Sequence, residues 1–332
     1  MKIENIKIIA VINLGYIGDV VNASPVCIEL KNKYPDSKLI FITMKPAMET
    51  AKCLPGVDEI IVYDRRGEHK GLKNLIKLSF SIRKKYEIDL AILLTDSFRS
   101  AFFTYLLGAN KRLGRACQGR SIFLNYTIPH FQEEKEMKIH VSEHYMRLLK
   151  PLNLYKQDYK LNFKYSKEDT EYIETSLKVL GYKGERLIGI CPCARLEGKN
   201  WWPEDTVEFI NLINKEKIYK VVLVGDNSAK PFVEKLKELN CDNFYDMSGK
   251  TNISQLAAII AKCSNFVSVD TGSMHIAFAL SIPTIALFYY DCVTKWGPKD
   301  QIKNKVILNP DRHGIKAQEV FDKMHELQLL KG

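Results

Sequence analysis

Three short stretches place reactive side chains where the chain changes direction. In "NLGYIGDV" (13–20), Gly15 and Gly18 precede Asp19. Glycines let a backbone turn tightly and approach a ligand. Asp19 stands at the mouth of a helix, where its carboxylate can take a proton from a substrate or cap the helix at about 1 kcal/mol. In "VSVDTGSMHIA" (267–277), a strand ends at Asp270, Gly272 permits a turn and an apolar helix begins. The free N–H groups and dipole of that helix start form an anion site, to which Thr271 adds a hydroxyl. Asp270 would repel a phosphate, so its carboxylate suits the hydroxyls of a neutral moiety beside it, such as a sugar. Capping by Asp270 and plain packing by His275 are the alternative. In "CPCARLEGKNWWPED" (191–205), Lys199 is a cation just past a strand, suited to a diphosphate leaving group or to simple solvation. Trp201, Trp202 and Pro203 read as the apolar start of the next helix.

Other patterns narrow the chemistry. The first glycine turn is not G-x-G-x-x-G, which disfavours a dinucleotide site. Eight cysteines are scattered without C-x-x-C pairs, so they read as reduced thiols and not as disulfides or a zinc site. His140 and His144 in "HVSEH" have a metal-compatible i, i+4 spacing but no third ligand; no metal and no cofactor are expected.

The elements that must position these residues alternate. "KIIAVI", "KLIFIT", "EIIVY" and "DLAILL" read as strands of a first half, separated by the helices "PVCIELKNKY", "AMETAKCL" and "LKNLIKLSFSIRKKY". Ser24 would cap the first of these, with Pro25 at its first position. After a basic, poorly periodic stretch (111–160), the strands "RLIGIC", "KVVLVG", "NFVSV" and "PTIALF" alternate with the helices "PEDTVEFINLINKE", "AKPFVEKLKEL" and "ISQLAAIIAKC". Strict alternation implies βαβ units and parallel sheets, hence an α/β fold of two doubly wound domains, 1–160 and 161–315. Residues 316–332 form a tail helix whose docking periodicity does not reveal. Ligands of such sheets bind beyond the carboxyl ends of the strands, which makes an interdomain cleft the default site.

The 332 residues, 46% hydrophobic and 27% charged, are ordinary for globular domains. A net charge of +10 asks for an anionic partner: nucleic acid, a phosphorylated substrate or an acidic membrane surface. The densest basic cluster is "KRLGRACQGR", with Lys111, Arg112, Arg115 and Arg120. No nucleic-acid motif accompanies it, so no nucleic-acid partner is expected. The N-terminus reads as a buried strand and not a signal peptide, and Pro283 breaks the longest apolar run below spanning length. The expectation is a soluble protein, at most peripheral to a membrane.

The three stretches occur together in one family. The chain resembles the bacterial family 9 glycosyltransferases, typified by the ADP-heptose:lipopolysaccharide heptosyltransferases, enzymes of the GT-B fold with two Rossmann-like domains facing a cleft. The resemblance is carried by "LGYIGDVVNASPVCIELKNKYPDSKLIFIT", by "MSGKTNISQLAAIIAKCSNFVSVDTGSMHIAFALSIPTIALF" and by "WGP" at 296–298. It implies an inverting, metal-independent transfer of a sugar from a nucleotide diphosphate, ADP-heptose, to an acceptor hydroxyl. Asp19 matches the general base and Lys199 the lysine that stabilises the departing diphosphate. Asp270 would hold donor hydroxyls, while Thr271 and Gly272 would bind its phosphates, with Gly18 and His275 also on the donor side, the histidine in a structural or supporting role. The N-terminal domain would then take the acceptor and the C-terminal domain the nucleotide sugar. The implied acceptor is a phosphorylated lipid A inner core, with Arg115 and Arg120 facing it, and surface lysines would hold a cytoplasmic enzyme to the anionic inner leaflet. Four departures bear on the donor. "KNWWP" carries one residue more than the family's Lys-x-Trp-Pro, Ala229 replaces a glutamate expected near the ribose, Cys193 stands where glycine is common, and "FYYDC" replaces "FG.t". Asp226 could replace the missing carboxylate. The same fold using another nucleotide sugar, or a non-catalytic sugar-nucleotide-binding protein, is the alternative.

Overall fold

Aliphatic and β-branched runs fold here into two parallel sheets. In the computed structural model, which describes residues 5–130, 138–311 and 313–329, the chain divides into two units between Asn162 and Phe163. In the first unit the strands are β1 (Ile8–Asn13), β2 (Lys38–Thr43), β3 (Glu59–Val62), β4 (Leu90–Leu93), β5 (Lys111–Ala116) and β6 (Tyr126–Pro129), in the sheet order β3-β2-β1-β4-β5-β6. Its helices are α1 (Ile17–Asn22), α2 (Ser24–Lys33), α3 (Met48–Lys52), α4 (Gly71–Lys85), α5 (Phe98–Leu106) and α6 (Val141–Met146).

In the second unit, β7 (Arg186–Cys191), β8 (Tyr219–Leu223), β9 (Tyr245–Asp246), β10 (Cys263–Val269), β11 (Thr284–Phe288) and β12 (Asn304–Leu308) line up as β12-β11-β10-β7-β8-β9. This is the same topology as in the first sheet, and every pairing in both is parallel. Its helices are α7 (Lys167–Val179), α8 (Pro203–Lys215), α9 (Lys230–Glu238), α10 (Ile253–Lys262), α11 (Gly272–Ala279), α12 (Val293–Trp296) and α13 (Ala317–Leu329).

Period-two burial builds each core. Ala10, Ile12, Ile40, Ile42, Ala91 and Leu93 point to one face of the first sheet, where Leu75 and Ile82 of α4 and Ala101 and Phe103 of α5 cover them. In the second unit, Ile188, Ile190, Val267 and Val269 meet Phe209 and Ile213 of α8. Val320, Met324 and Leu327 of α13 join the same cluster, so the tail helix docks on the second unit. Trp201 is buried there and its indole N–H donates to the Ile315 carbonyl at 3.0 Å, while Trp202 is the N-cap of α8 and Pro203 its first residue.

Two expectations are corrected. The stretch 111–160 is not irregular: it holds β5, β6 and α6. Its strands escape notice because β5 is built from "KRLGRA", where Arg115 and Gly114 are buried beside Leu113. Ser24 caps nothing. α1 passes into α2 through Ala23 with no extended residue between, so Ser24 is the first residue of α2 and its buried hydroxyl accepts the Asn162 N–H at 3.1 Å.

The central pairing of the second sheet is tight. Gly189 of β7 lies opposite Phe266 of β10, and a Cβ at 189 would sit 2.6 Å from the Phe266 ring and 2.9 Å from Cys263 Sγ. Gly189→Ala is therefore expected to cost about 1–3 kcal/mol by overpacking. Urea unfolding tests this: the midpoint falls while the slope stays that of the parent chain.

Candidate active site

In a doubly wound sheet, crossovers leave the two central strands on opposite faces, and the crevice beyond their carboxyl ends receives ligands. Each unit has one such point, β1/β4 in the first and β7/β10 in the second. Asp19 lies in the segment that follows β1, and Lys199 and Asp270 lie in those that follow β7 and β10.

At the first crevice the loops after β1 and β4 are tied together, because the Leu14 N–H donates to Thr95 Oγ1 at 2.8 Å. Asn13 is buried and braces the turn from both sides. Its side-chain amide donates to the Asp19 carbonyl at 3.1 Å, and its Oδ1 accepts the Gly15 N–H at 3.0 Å. The Asp19 carboxylate then divides its work. Oδ2 accepts the Tyr16 N–H at 2.9 Å, which is a helix cap; Oδ1 accepts the hydroxyl of Tyr145 from α6 at 3.1 Å. Tyr145 is buried, and desolvation together with the neighbouring Asp19 charge drives its phenol well above the usual range, so it remains a donor. Capping does not exhaust a carboxylate that offers about four lone-pair sites.

Gly15 serves close approach and not an unusual backbone angle. A Cβ there would lie 2.4 Å from Asp19 Cβ, whereas Gly15, Gly18 and Gly272 are all absent from the positive-φ residues among those described. Gly18 belongs to α1 with Asp19, and its carbonyl accepts the Asn22 amide at 2.8 Å. It therefore sits in the first unit and not in the loop that carries Asp270, Thr271 and Gly272.

Asp96, just past β4, organises the rest of this crevice. His144 Nε2 lies 2.8 Å from its Oδ2, Arg120 Nη2 lies 2.5 Å from its Oδ1, and Arg115 Nη1 lies 3.6 Å from the same oxygen. Arg120 also donates to the carbonyls of Thr95 (2.5 Å) and Arg115 (2.9 Å). Both guanidinium groups are 0% exposed. This corrects the expectation that Arg115 and Arg120 face an acceptor: β5 and the turn after it carry them inward, where they neutralise Asp96. His140 caps α6 through Nδ1, His144 turns to Asp96, and no described cluster of His, Cys, Asp or Glu could hold a metal ion.

The second crevice brings the remaining expected residues together. Lys199 Nζ lies 2.5 Å from Asp270 Oδ2, so the loop after β7 and the end of β10 are joined by an ion pair. Asp270 also has Cys292 Sγ at 3.9 Å, which brings in the loop after β11; desolvation and the Asp270 charge push that thiol up to about 11. Thr271 is the N-cap of α11, and its Oγ1 accepts the Ser273 N–H at 3.2 Å. The first N–H groups of α11, beginning with Gly272, have no intrahelical partner by construction. His275 is buried with its ring against Phe278 and Trp296, as a packing role requires. Asp226 is the N-cap of a short turn, accepting from Ser228, and Ala229 is buried. Ala229 carries no carboxylate, whereas Asp226 is exposed and engages Ser228 through Oδ1 alone.

Sequence reasoning missed Asp96, Thr95 and Tyr145. Asp96 had a signal, since a strand running into a carboxylate is the pattern that marked Asp270. Tyr145 had none, being 126 residues from Asp19 along the chain.

The family model for glycosyltransferase family 9 (heptosyltransferase) matches residues 76–325. The lipopolysaccharide core heptosyltransferase OpsX of Haemophilus influenzae is 25% identical over 324 residues, 96% of this chain and 88% of that protein. Lipopolysaccharide heptosyltransferase 2 of Escherichia coli is 27% identical over 298 residues, 84% of this chain and 82% of that protein. Among solved structures, a family 9 glycosyltransferase from Veillonella parvula superposes with a TM-score of 0.87 at 20% identity, covering 98% of both chains. ADP-heptose LPS heptosyltransferase II of E. coli gives 0.80 at 23% identity, covering 98% of this chain and 99% of that one. The fold is GT-B, whose parts are the two doubly wound units described above.

Asp96 yields a prediction of sign as well as size. Burial alone would raise its carboxyl, but the hydrogen bond with His144 and the charges of Arg115 and Arg120 outweigh burial and hold it at about 2, below its ordinary 3.8. A depressed carboxyl stabilises fully above the ordinary value, and that contribution is lost as pH falls from about 4 towards 2. Asp96→Asn leaves buried cations without their counter-charge, so the variant is expected to lose about 3–5 kcal/mol at neutral pH. Denaturant midpoints measured from pH 7 to 2 check this, the variant showing the flatter acid limb.

Proposed function

The chain belongs to glycosyltransferase family 9, and from that premise we propose that it transfers heptose from ADP-heptose to a hydroxyl of the lipopolysaccharide or lipooligosaccharide inner core. The transfer inverts the anomeric centre and uses no metal ion. The observation that carries this reading is the Lys199–Asp270 pair at the start of α11, which sets a cation, hydroxyl-binding oxygens and free helix N–H groups side by side.

Transfer breaks the bond between the anomeric carbon and the diphosphate oxygen, and that electron pair leaves with ADP. Positive charge builds on the sugar ring and negative charge on the leaving group. Lys199, the Thr271 hydroxyl and the N–H groups from Gly272 onward supply positive potential where the negative charge develops. An arriving diphosphate competes with Asp270 for Lys199, and Asp270, released from the lysine, takes donor hydroxyls. The acceptor oxygen attacks from the opposite face of the ring, and its proton passes to Asp19. Tyr145 and the Tyr16 N–H hold that carboxylate in a single orientation and leave it lone pairs for the proton. Attack opposite to the departing group is what inverts the centre.

The phosphorylated lipid A inner core is the proposed acceptor, taken by the first unit, while the nucleotide sugar is taken by the second. The enzyme would work at the cytoplasmic face of the inner membrane as a peripheral protein. No described helix is long and apolar enough to cross a membrane. The buried Ala229 and the capping Asp226 favour one second reading, the same reaction with a different nucleotide sugar.

Calorimetry with ADP, UDP, GDP and ADP-heptose, without added metal, separates the two. Selective binding of ADP, tightened by the heptose, is expected; preference for UDP or GDP overturns the donor and keeps the reaction class. Asp19→Asn is expected to lower kcat by about 10²–10⁴ with ADP binding unchanged. Product release assayed by mass spectrometry checks this, and an unimpaired variant removes Asp19 as the base.

A further inference from the structure

The net charge of the chain is concentrated. Residues 70–126 contain eleven Lys and Arg against three Asp and Glu, a net of +8 in a protein whose total is +10. Two of the three acids are turned inward: Asp89 accepts the Lys7 and Ile8 N–H groups, and Asp96 is held by Arg115, Arg120 and His144. The same segment carries a disproportionate share of the exposed apolar surface. Leu72 is 61% exposed, Phe80 54%, Phe98 50%, Tyr105 48% and Ile122 74%.

These residues form one surface. α4 and α5 cover the same face of the first sheet. Arg99 at the start of α5 donates to the Gly71 carbonyl at the start of α4 at 3.5 Å, and Arg83 near the end of α4 runs against Gly108 just past α5. The two helices therefore lie alongside each other in parallel. Leu72, Ile76 and Phe80 recur every four residues on α4, on the flank that also carries Arg83 and so faces α5. Across from them, Phe98, Phe102 and Tyr105 of α5 gather around Phe123, with ring centroids 5.1, 5.3 and 5.7 Å away. Ile122 projects beside Phe123. On the outer edge of α4, Lys73, Lys77 and Lys84 are exposed and pair with no carboxylate among the described residues.

We propose that this face, α4 with α5 and the Ile122–Phe123 turn, docks on the surface of a phospholipid bilayer that carries anionic headgroups. An apolar strip rimmed by lysines is complementary to such a surface. The side chains of Leu72, Phe80, Phe98 and Ile122 enter the boundary between headgroups and acyl chains, while the lysine stems lie along it and place their ammonium groups at the phosphates. A protein partner would need acidic residues matched to fixed lysine positions, whereas a bilayer accepts any arrangement of cations around an apolar centre, and the lysines here follow the helix edge. The inference gives a location to the membrane contact proposed above, and its test needs neither donor nor acceptor.

The experiment is co-sedimentation of the full chain with phosphatidylcholine vesicles and with phosphatidylcholine–phosphatidylglycerol vesicles at physiological ionic strength. The parent protein is expected to pellet with the second and not with the first. Two variants are compared, Leu72→Ser/Phe98→Ser/Ile122→Ser and Lys73→Glu/Lys77→Glu/Lys84→Glu. Each is expected to bind at least about tenfold more weakly, with thermal melting and ADP binding as in the parent. Failure of the parent to pellet, or equal binding by both variants, overturns the proposal. So does a concentration-dependent dimer, seen by light scattering and lost in the serine variant, because a second copy would then be the occupant. A chain that binds vesicles yet does not use ADP-heptose loses the donor assignment and keeps this surface.

Discussion

β1 pairs with β4 and β7 with β10 in parallel register, and in each pair the two crossovers leave on opposite faces of the sheet. No helix can then cover the carboxyl end between them, so each sheet leaves a crevice floored by backbone and walled by the first residues after two strands. Everything chemical in the chain is attached to those walls. Asp19 and Asp96 come from the two sides of the first crevice, Lys199 and Asp270 from the two sides of the second. The duplication explains why residues so far apart in sequence meet: Lys199 and Asp270 are 71 positions apart along the chain and 2.5 Å apart in space. Moving either central ladder by one residue would turn its side chains to the wrong face and dismantle the site with the core.

Three carboxylates at these crevices are treated in three ways, and the difference sorts their roles. Asp96 is surrounded by Arg115, Arg120 and His144, and holds its charge down to about pH 2. A carboxylate so firmly ionised is a poor proton acceptor, but it makes two buried guanidinium groups tolerable and fixes α6 through His144. The Asp19 carboxylate accepts two neutral donors, the Tyr16 N–H and the Tyr145 hydroxyl, which orient it. Asp270 is paired with one cation among the described residues, Lys199, which on the proposed mechanism an anionic ligand would draw away. α6 links the first two of these, since its consecutive residues His144 and Tyr145 address Asp96 and Asp19. The orientation of Asp19, the proposed base, is therefore coupled through α6 to the Asp96–His144 ion pair.

How much of this was legible depended on what kind of signal each residue leaves. Strands such as "KLIFIT" and "KVVLVG" announce themselves because both faces of a parallel sheet are buried, and continuous apolar runs have few other uses. Asp19, Lys199, Asp270 and Thr271 were findable because turns after such strands are where polar residues have reason to be. β5 was hidden for the converse reason: its arginine is buried by a charge partner at the far end of another strand, which no local pattern encodes. The same cause misdirected Arg115 and Arg120, whose positive charge is needed inside. Tyr145 depends wholly on tertiary contact. Gly15 was marked for a tight turn and approach to a ligand, whereas what the structure shows it accommodating is the Asp19 side chain.

The charge of the chain gains meaning from the same architecture. α5 begins two residues after Asp96, with Ser97 as its cap accepting the Ser100 N–H, so the helix that carries Phe98 and Tyr105 starts at the rim of the first crevice. The apolar strip and Asp96 are thus anchored on one strand end, that of β4, across the crevice from Asp19. An enzyme acting on the proposed lipid-linked acceptor would gain from this coupling, since the proposed docking through α4 and α5 would hold the turn bearing Asp19 near the bilayer surface. Confinement reduces the translational freedom that each encounter would otherwise have to remove. The lysines of α4 contribute attraction that falls with added salt, whereas the contribution of Leu72, Phe98 and Ile122 scales with buried area and is indifferent to it. On the proposed reading, two forces of different range on one face would let the protein find the surface electrostatically and remain there by apolar contact.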